Sequence, residues 1–296
     1  MSRAELWQLL HAAEVLKKIR GDENSPQPLR GQSLALIFEK PSLRTRVSFT
    51  VGIQELGGGV FELLGAQMKN EDPEDSIRVL QGMVHGIMLR TFEHSKLERM
   101  LSKSRIPIIN GLSDSHHPCQ ALADLMTIKE RLGHLSGIKI AYLGDGNNVL
   151  HSLMLMAPFL GMELHYACPE NYQPNPEILA RAEKRAFNGK GKIRKFTDPL
   201  EAAAGVHVLY TDVWTSMGQE AENAKRLADF AGWGVDDAML AAASPSAIVL
   251  HCLPAHRGEE ISSEVIEGAR SRVWDQAENR LHVQKALLCF LLGAKL

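Results

Sequence analysis

Five consecutive residues, Ser42-Leu43-Arg44-Thr45-Arg46, carry the clearest chemical signal in this sequence. They follow an apolar segment, residues 33–38, and the short connection Glu39-Lys40-Pro41. If a helix begins here, its free backbone N–H groups and positive dipole end attract an anion. Each arginine adds a planar guanidinium that binds two phosphate oxygens at once. The pentapeptide therefore predicts a phosphate site unlike a Walker A loop or a Gly-x-Gly-x-x-Gly turn, with a solvated basic helix start as the simpler alternative.

The residues after Thr45 give two conflicting signals about secondary structure. Apolar residues at positions 47, 49, 51 and 53 alternate with polar residues or glycine, a period typical of a strand. The Pro41-Ser42 pair is a helix start signal, and we predict a helix. Residues two apart on a helix point about 200° away from each other. We therefore expect Arg44 to face the phosphate and Arg46 to make a structural ion pair.

A second candidate group is His116-His117-Pro118-Cys119-Gln120. Proline suits the first turn of a helix, so we expect His117 and Gln120 near a helix N-terminus. There a neutral imidazole and an amide can polarise a carbonyl oxygen. The adjacent histidines lack the i, i+4 spacing of a helical metal pair, so zinc is not expected, and a structural histidine is the main alternative.

Two further arginines can bring positive charge to such a site. Arg90 ends an apolar run at residues 87–89, and Arg280 lies near the start of the last predicted helix. Side chains at the carboxyl ends of parallel strands face the ligand crevice of doubly wound sheets. A surface ion pair is an equal alternative for Arg90, and Arg280 taken alone indicates little.

Two polar segments in the second half each follow a predicted strand. The segment 144–149, Gly-Asp-Gly-Asn-Asn-Val, resembles a dinucleotide turn, but Val149 occupies the third glycine position, which disfavours NAD binding. Its asparagines suit a small polar ligand or a tight turn with a helix cap. Asp212 begins the segment 212–218, Asp-Val-Trp-Thr-Ser-Met-Gly. Its carboxylate can pair with an ammonium group or cap a helix.

The last strong strand ends at His251-Cys252-Leu253-Pro254. Cys252 is a soft, partly nucleophilic group, and a cysteine hydrolase with His251 or His117 as base is one interpretation. Cys252 does not begin a helix and lacks a known protease context, which disfavours that interpretation. A small buried side chain is the more common role of a free cysteine.

Composition restricts the class of protein. With 296 residues, 45% hydrophobic and 23% charged, the chain fits a soluble globular protein of two domains. A net charge of −2 gives no overall field for holding nucleic acid. Four widely spaced cysteines predict neither a zinc site nor disulfides and favour a reducing, cytoplasmic compartment. Ser2 and Glu5 have capping-box spacing, so the N-terminus predicts a helix instead of a targeting peptide, and no apolar run suits a membrane span.

Short apolar runs alternate with helical patterns along the chain. This alternation predicts an α/β fold of doubly wound parallel sheets. Strands are expected at residues 34–39, 60–64, 86–90, 106–110, 138–143, 163–167, 207–211 and 247–251. Helices are expected at residues 73–83, 118–131, 148–160, 176–187, 219–230 and 276–296. Glycines near residues 131–137 predict a boundary between domains 1–133 and 134–275, with the helix 276–296 returning to the first domain.

Together, the motifs resemble those of the aspartate/ornithine transcarbamylase family. Residues 42–46 match its Ser-x-Arg-Thr-Arg pattern, and residues 117–120 match its His-Pro-x-Gln pattern. Residues 144–148, 212–218 and 251–254 match the ornithine branch, so the resemblance covers nearly the whole chain in order. It implies two doubly wound parallel-sheet domains with the active site in the cleft between them. It also implies a cytoplasmic homotrimer, or a multiple of trimers, in arginine biosynthesis.

The resemblance further implies direct attack of the δ-amine of L-ornithine on carbamoyl phosphate, giving L-citrulline and phosphate without a metal or cofactor. The implied carbamoyl phosphate residues are Ser42, Leu43, Arg44, Thr45, Arg90, His117, Gln120, Cys252, Leu253 and Arg280. Among these, His117, Cys252, Arg280 and Arg90 have the implied catalytic roles. The implied ornithine residues are Asn148, Asp212, Ser216 and Met217.

One segment departs from the family pattern. Residues 67–73, Gln-Met-Lys-Asn-Glu-Asp-Pro, replace the usual glycine and Glu-Ser of a loop that reaches the neighbouring subunit in trimeric relatives. Lys69 is similar to a lysine of aspartate-specific relatives. Three alternatives remain: a transferase with another acceptor (aspartate, putrescine or N-acetylornithine), a non-catalytic phosphometabolite-binding subunit, and a Rossmann dehydrogenase.

Overall fold

The chain divides into two structural units that are not both continuous in sequence. A computed structural model describes residues 1–64, 71–216 and 218–294. Unit 1 comprises Met1–Met126 and Glu278–Leu296, and unit 2 comprises Thr127–Ala277. The two units divide inside long helices, whereas the sequence places boundaries at 133/134 and 275/276. Those boundaries stay predictions.

Strands and helices alternate along the chain. The strands are β1 Ser33–Phe38, β2 Gly59–Leu64, β3 Gly86–Arg90, β4 Ile108–Leu112, β5 Lys139–Leu143, β6 Glu163–Ala167, β7 Lys192–Phe196, β8 Val208–Thr211 and β9 Ile248–His251. The first helices are α1 Arg3–Lys18, α2 Leu43–Glu55, α3 Pro73–Leu80, α4 His94–Lys103, α5 Pro118–Leu132 and α6 Asn148–Met156. The others are α7 Pro176–Gly189, α8 Pro199–Ala203, α9 Asn223–Asp229, α10 Asp237–Ala242, α11 Ser263–Glu267 and α12 Val273–Leu291.

Each unit contains one parallel sheet, which confirms the predicted doubly wound α/β class. In unit 1 the strand order is β2-β1-β3-β4, and in unit 2 it is β7-β6-β5-β8-β9. In such sheets the crevice opens where the chain leaves two adjacent strands in opposite directions. That point lies between β1 and β3 in unit 1 and between β5 and β8 in unit 2. The connections that follow these four strands are therefore the places for ligand contacts.

Helix α2 resolves the conflict after Thr45 in favour of the helix. The Ser42 hydroxyl caps it by accepting a hydrogen bond from the Thr45 N–H, at 3.2 Å. Its buried residues, Thr45, Ser48, Phe49, Gly52 and Ile53, follow the helical period. Val47, which contributes to the strand-like alternation, is 51% exposed. The alternation thus arises from an apolar residue on the outer face of an amphipathic helix.

Some predicted boundaries are wrong, and one strand is missed. Strand β7, Lys-Ile-Arg-Lys-Phe, lies at a sheet edge and carries three cations in five residues, so it lacks an apolar run. Strand β4 begins two residues later than expected, and α3 ends three residues earlier. The helix expected at 148–160 ends at Met156, before Pro158, and continues as a 3₁₀ turn. Proline lacks the N–H that would continue the α-helical hydrogen bonds.

The N-terminal helix has the expected capping box, with reciprocal bonds between Ser2 and Glu5. The C-terminal part of α12 belongs to unit 1, where the amide oxygen of Asn279 accepts from Lys17 at 2.8 Å and Lys285 pairs with Glu55 at 2.8 Å. Among the described residues, no helix is both long enough and apolar enough to cross a bilayer.

We expect Phe49→Ala to lower the free energy of unfolding by about 3–5 kcal/mol, because Phe49 is fully buried on the inner face of α2. The matched control is Gln54→Ala on the exposed face of the same helix, with an expected change within about 0.5 kcal/mol. Urea denaturation of both variants measures the difference. Equal effects would contradict the helical arrangement.

Candidate active site

The two arginines of the pentapeptide have different surroundings. Arg46 pairs with Glu62 on β2 at 2.8 Å, and its guanidinium lies 5.2 Å from the centre of the Phe38 ring. The expected structural ion pair of Arg46 is therefore confirmed. Arg44 lies close enough to His117 for its charge to lower the pKa of that imidazole. Arg44 is thus part of the positive environment around His117.

Arg280 on α12 joins three helices of unit 1. Its guanidinium donates to the Gln120 amide oxygen on α5 at 2.8 Å and to the Thr45 hydroxyl on α2 at 2.9 Å. The Gln120 amide nitrogen in turn donates to Asp124 at 2.9 Å. Arg280 is only 2% exposed, so these acceptors compensate for the loss of water around a buried charge. This hydrogen-bond network holds the side chains of Thr45, Gln120, Asp124 and Arg280 in one arrangement.

His117 precedes α5 and is 5% exposed. Burial holds its pKa well below the usual value of 6.5, and the charges of Arg280, Arg90 and Arg44 lower it further. The ring is therefore neutral at pH 7 and carries one N–H that can donate to an oxygen. Arg90, 7% exposed, ends β3 beside the unit 1 switch point, and its carbonyl accepts from the Glu39 N–H at 2.9 Å.

In unit 1, the structure brings together a set of cations around a neutral imidazole. Such a set attracts a small dianion and leaves a hydrogen-bond donor for a neutral carbonyl group. Of the predicted residues, Arg44, Arg90 and Arg280 lie near His117, and Thr45 and Gln120 bond to Arg280. Ser42 and Leu43 form the start of α2, the helix that carries Arg44 and Thr45.

Asp212 is the central group at the unit 2 switch point. It is 5% exposed and follows β8. Its carboxylate accepts from the Asn147 amide at 2.7 Å, the Val213 N–H at 2.8 Å and the Cys252 thiol at 2.7 Å. These three donors hold the side chain in a fixed orientation. Asp212 does not cap a helix, so the alternative role of a cap is wrong.

The contact between Cys252 and Asp212 also bears on the cysteine hydrolase interpretation. The thiol donates its proton toward a carboxylate, and a neighbouring negative charge disfavours the thiolate. A thiolate nucleophile needs a positive environment instead. The geometry therefore favours Cys252 as a neutral polar group beside Asp212.

Asn147 is not singled out by the sequence, yet its side chain contacts Asp212 directly. Its amide oxygen caps α6 by accepting from the Val149 and Leu150 N–H groups, and it also accepts from the Tyr142 hydroxyl at 3.1 Å. Its amide nitrogen is thereby directed to Asp212. The cap position, one residue before the predicted helix, is the sequence signal that identifies it. Asn148 is the first residue of α6.

The pKa of Asp145 is raised to about 6, mainly by burial; the charge of Arg226 opposes this rise and the charge of Asp212 adds to it. Arg226 lies 3.3 Å from Asp145 and donates to the Trp214 carbonyl at 2.8 Å. It therefore links the segments that follow β5 and β8. Ser216 donates its N–H to Gln219 at 3.1 Å, while Met217 and residues 65–70 lie outside the described residues.

The segment after β9 has an unusual backbone. Leu253 has a φ of 57°, in the left-handed region, and the Leu253–Pro254 peptide is cis. The Leu253 N–H donates to His251 Nδ1 at 2.8 Å, and His251 Nε2 lies 3.0 Å from the buried carboxylate of Glu260. Since Nδ1 accepts, the ring proton is on Nε2 and is donated to Glu260. This hydrogen-bond chain holds a strained residue, a feature typical of functional sites.

A cavity of about 360 Å³ is lined by Val213, Thr215, Glu220, Asn223, Pro254 and His256. All of these lining residues belong to unit 2. Its size suits a small polar metabolite. Val213, the residue after Asp212, brings the cavity lining close to Asp212 in sequence, and the lining carboxylate is that of Glu220.

Two family models match the chain, one for each half of the sequence. Residues 1–130 match the aspartate/ornithine carbamoyltransferase carbamoyl-P binding domain. Residues 136–291 match the Asp/Orn binding domain of the same family. The two matches together span nearly the whole chain.

Individual relatives match over their full length. The chain is 51% identical to the ornithine carbamoyltransferase of Acidothermus cellulolyticus, over 99% of this chain and 95% of the relative. It is 49% identical to the ornithine carbamoyltransferase of Gloeobacter violaceus, over 100% of this chain and 94% of the relative. The solved structure of ornithine carbamoyltransferase from Pyrococcus furiosus superposes with a TM-score of 0.96 at 43% identity, over 100% of this chain and 96% of the other. The chain belongs to the aspartate/ornithine carbamoyltransferase family.

Proposed function

We propose that the chain transfers the carbamoyl group of carbamoyl phosphate to the δ-amine of L-ornithine, giving L-citrulline and phosphate. The observation that carries this proposal is the cluster of Arg44, Arg90 and Arg280 around the neutral ring of His117. A doubly charged phosphate needs the guanidiniums, and a polarised carbonyl needs the N–H donor. Family membership supports both parts of the assignment.

Carbamoyl phosphate binds to unit 1. Ser42, Leu43, Arg44 and Thr45 hold the phosphate through side chains and the N–H groups of the first turn of α2, and Arg90 adds positive charge. His117, Gln120 and Arg280 surround the carbamoyl group. Arg280 and His117 stabilise the negative charge that develops on its oxygen.

Ornithine binds to unit 2. Its α-ammonium pairs with Asp212, which three neighbours already orient. Asn148, Ser216 and Met217 contact the rest of the amino acid. Cys252 and the Leu253 carbonyl accept hydrogen bonds from the carbamoyl nitrogen and the attacking amine, and the strained backbone at Leu253 fixes the direction of that carbonyl.

The lone pair of the neutral δ-amine forms the new C–N bond to the carbamoyl carbon. The bond from that carbon to the bridging oxygen breaks, and phosphate leaves with the electron pair. The amine loses one proton, which phosphate can take. The reaction as written needs no metal, cofactor or covalent intermediate, so rate acceleration comes from positioning and from charge stabilisation.

The choice of acceptor is tested by offering carbamoyl phosphate with ornithine, aspartate, putrescine or N-acetylornithine in parallel. Phosphate release is measured in each case. We expect turnover with ornithine, because Asp212 suits an amino acid whose α-ammonium is free. Putrescine has no α-carboxylate, and N-acetylornithine has no α-ammonium. Absence of turnover with ornithine would reject the proposal.

We further infer a homotrimer in a reducing, cytoplasmic compartment. Four apolar side chains on α2 and β2 are exposed: Leu43 73%, Val47 51%, Phe61 62% and Leu64 48%. Leu43 and Val47 lie four residues apart on one face of α2, and neighbouring apolar side chains exposed at a surface are typical of a protein interface. All four cysteines are free thiols, which suits a reducing compartment. Sedimentation equilibrium should give three times the chain mass of 32.7 kDa.

Arg44→Ala is expected to lower kcat/KM by at least about 100-fold, because one charged donor to the phosphate is lost. Arg46→Ala is the matched control two residues away. Its partly exposed pair with Glu62 contributes about 1 kcal/mol or less, so activity should stay near the wild-type value. Circular dichroism confirms that both variants fold. Near-normal phosphate release from Arg44→Ala would refute its role.

Asp212→Asn is expected to raise the KM for ornithine about 10- to 150-fold, because a neutral amide replaces the charge that binds the α-ammonium. The KM for carbamoyl phosphate serves as the internal control and should change little. Steady-state kinetics with each substrate varied in turn separates the two effects. An unchanged ornithine KM would place the α-ammonium elsewhere.

A further inference from the structure

His256, Glu259 and Glu260 form a cluster in the connection between β9 and α11. One nitrogen or oxygen atom of each lies within 4.8 Å of the others. His256 Nδ1 is 3.8 Å from Glu259 Oε2 and 3.5 Å from Glu260 Oε2. None of the three is assigned a substrate contact in the proposed carbamoyl transfer, although His256 lines the cavity of unit 2 and Glu260 accepts from His251.

Glu260 provides the observation that points to a cation. Its side chain is fully buried, and its Oε1 already accepts from the His256 N–H at 2.6 Å and from His251 Nε2 at 3.0 Å. No hydrogen-bond donor reaches its Oε2 within the part of the chain that the structure describes. A buried carboxylate oxygen without a donor is costly. The two bonds to Oε1 also fix the direction in which Oε2 points.

The nearest arginine does not neutralise this oxygen. Arg257, between His256 and Glu259 in sequence, pairs with Glu267 at 2.5 Å. The cluster thus combines one imidazole with two carboxylates. His256 and Glu259 are 48% and 35% exposed, so a small cation can enter from solvent.

The distances from His256 Nδ1 to the two carboxylate oxygens are close to the ligand–ligand spacing of zinc. Two ligands held at about 2.1 Å from a tetrahedral Zn²⁺ lie about 3.4 Å apart. The distances of 3.5 and 3.8 Å from His256 Nδ1 need only a small adjustment of two exposed side chains. Nitrogen together with carboxylate oxygen suits zinc and its neighbours in the first transition row, whereas magnesium and calcium prefer oxygen ligands alone.

We propose that His256, Glu259 and Glu260 form a binding site for one divalent transition-metal ion of the zinc class, separate from the carbamoyl-transfer residues. Three protein ligands leave the fourth position of the ion to water. The loop is closed by hydrogen bonds from the Glu259 N–H to the His256 carbonyl at 3.0 Å and from the Gly258 N–H to the Ile261 carbonyl at 2.9 Å. The ligands are therefore held in one short, ordered turn.

A second group, Asp212, His251 and Cys252, also lies within 4.8 Å. Its atoms already bond to protein: both His251 nitrogens are engaged by Leu253 and Glu260, and the Cys252 thiol donates to Asp212. Metal binding there would break these bonds. This group is therefore the competing location that the test must separate.

The test is calorimetric titration of the metal-free, full-length protein with Zn²⁺. We expect one ion per chain, with a dissociation constant at least about tenfold weaker in His256→Ala and in Glu259→Gln. His11→Ala is the matched control, because His11 and Glu14 on α1 form a pair with the same i, i+3 spacing at 3.9 Å. Both His11→Ala and Cys252→Ser should bind as the wild type does.

If Cys252→Ser no longer binds zinc while His256→Ala still does, the ion belongs to the competing group and the proposal is overturned. Equal binding by the wild type and His256→Ala would also overturn it. Absorption spectra with Co²⁺ give an independent measurement, because only a Cys252 site would show a sulfur-to-metal charge-transfer band. These readouts do not involve catalysis, so their outcome is independent of the carbamoyl-transfer assignment.

Discussion

A buried guanidinium is tolerated only where acceptors replace its water, and Arg280 is the side chain on which unit 1 most depends. Removing one partner from a buried charge typically costs about 3–5 kcal/mol. Thr45 and Gln120 supply the acceptors of Arg280, and they come from two other helices. The hydrogen bonds that compensate for burying this charge therefore also bring the start of α2 and the start of α5 together. The fold and the phosphate-binding chemistry share one set of contacts.

The corresponding constraint in unit 2 concerns negative charge. Asp212 is buried, and an amide, a backbone N–H and a thiol all donate hydrogen bonds to its carboxyl group. These donors follow three different strands, β5, β8 and β9, which are neighbours in the sheet. The strand order thus determines which residues meet. Cations in one unit and a carboxylate in the other give each substrate a complementary partner.

The sequence alone predicts correctly those features of the structure that depend on residues close together in the chain. The Ser42 cap, the helix after His117 and the structural pair of Arg46 all follow from short-range rules of capping and helix geometry. It does not predict features that depend on contacts formed only in the folded chain. Strand β7 is recognisable as a strand only beside β6, because its own residues are mostly charged. Likewise, Asn147 and Glu260 acquire their roles from partners 65 and 9 residues away.

Helix α12 places the last part of the chain in unit 1, although the rest of that unit precedes unit 2. During synthesis from the N-terminus, the ribosome must therefore complete all of unit 2 before Arg280 emerges. The continuous unit, 127–277, can fold as a nascent domain, whereas the discontinuous one has to wait. A truncated translation product consequently lacks Arg280, and with it part of the proposed carbamoyl phosphate site.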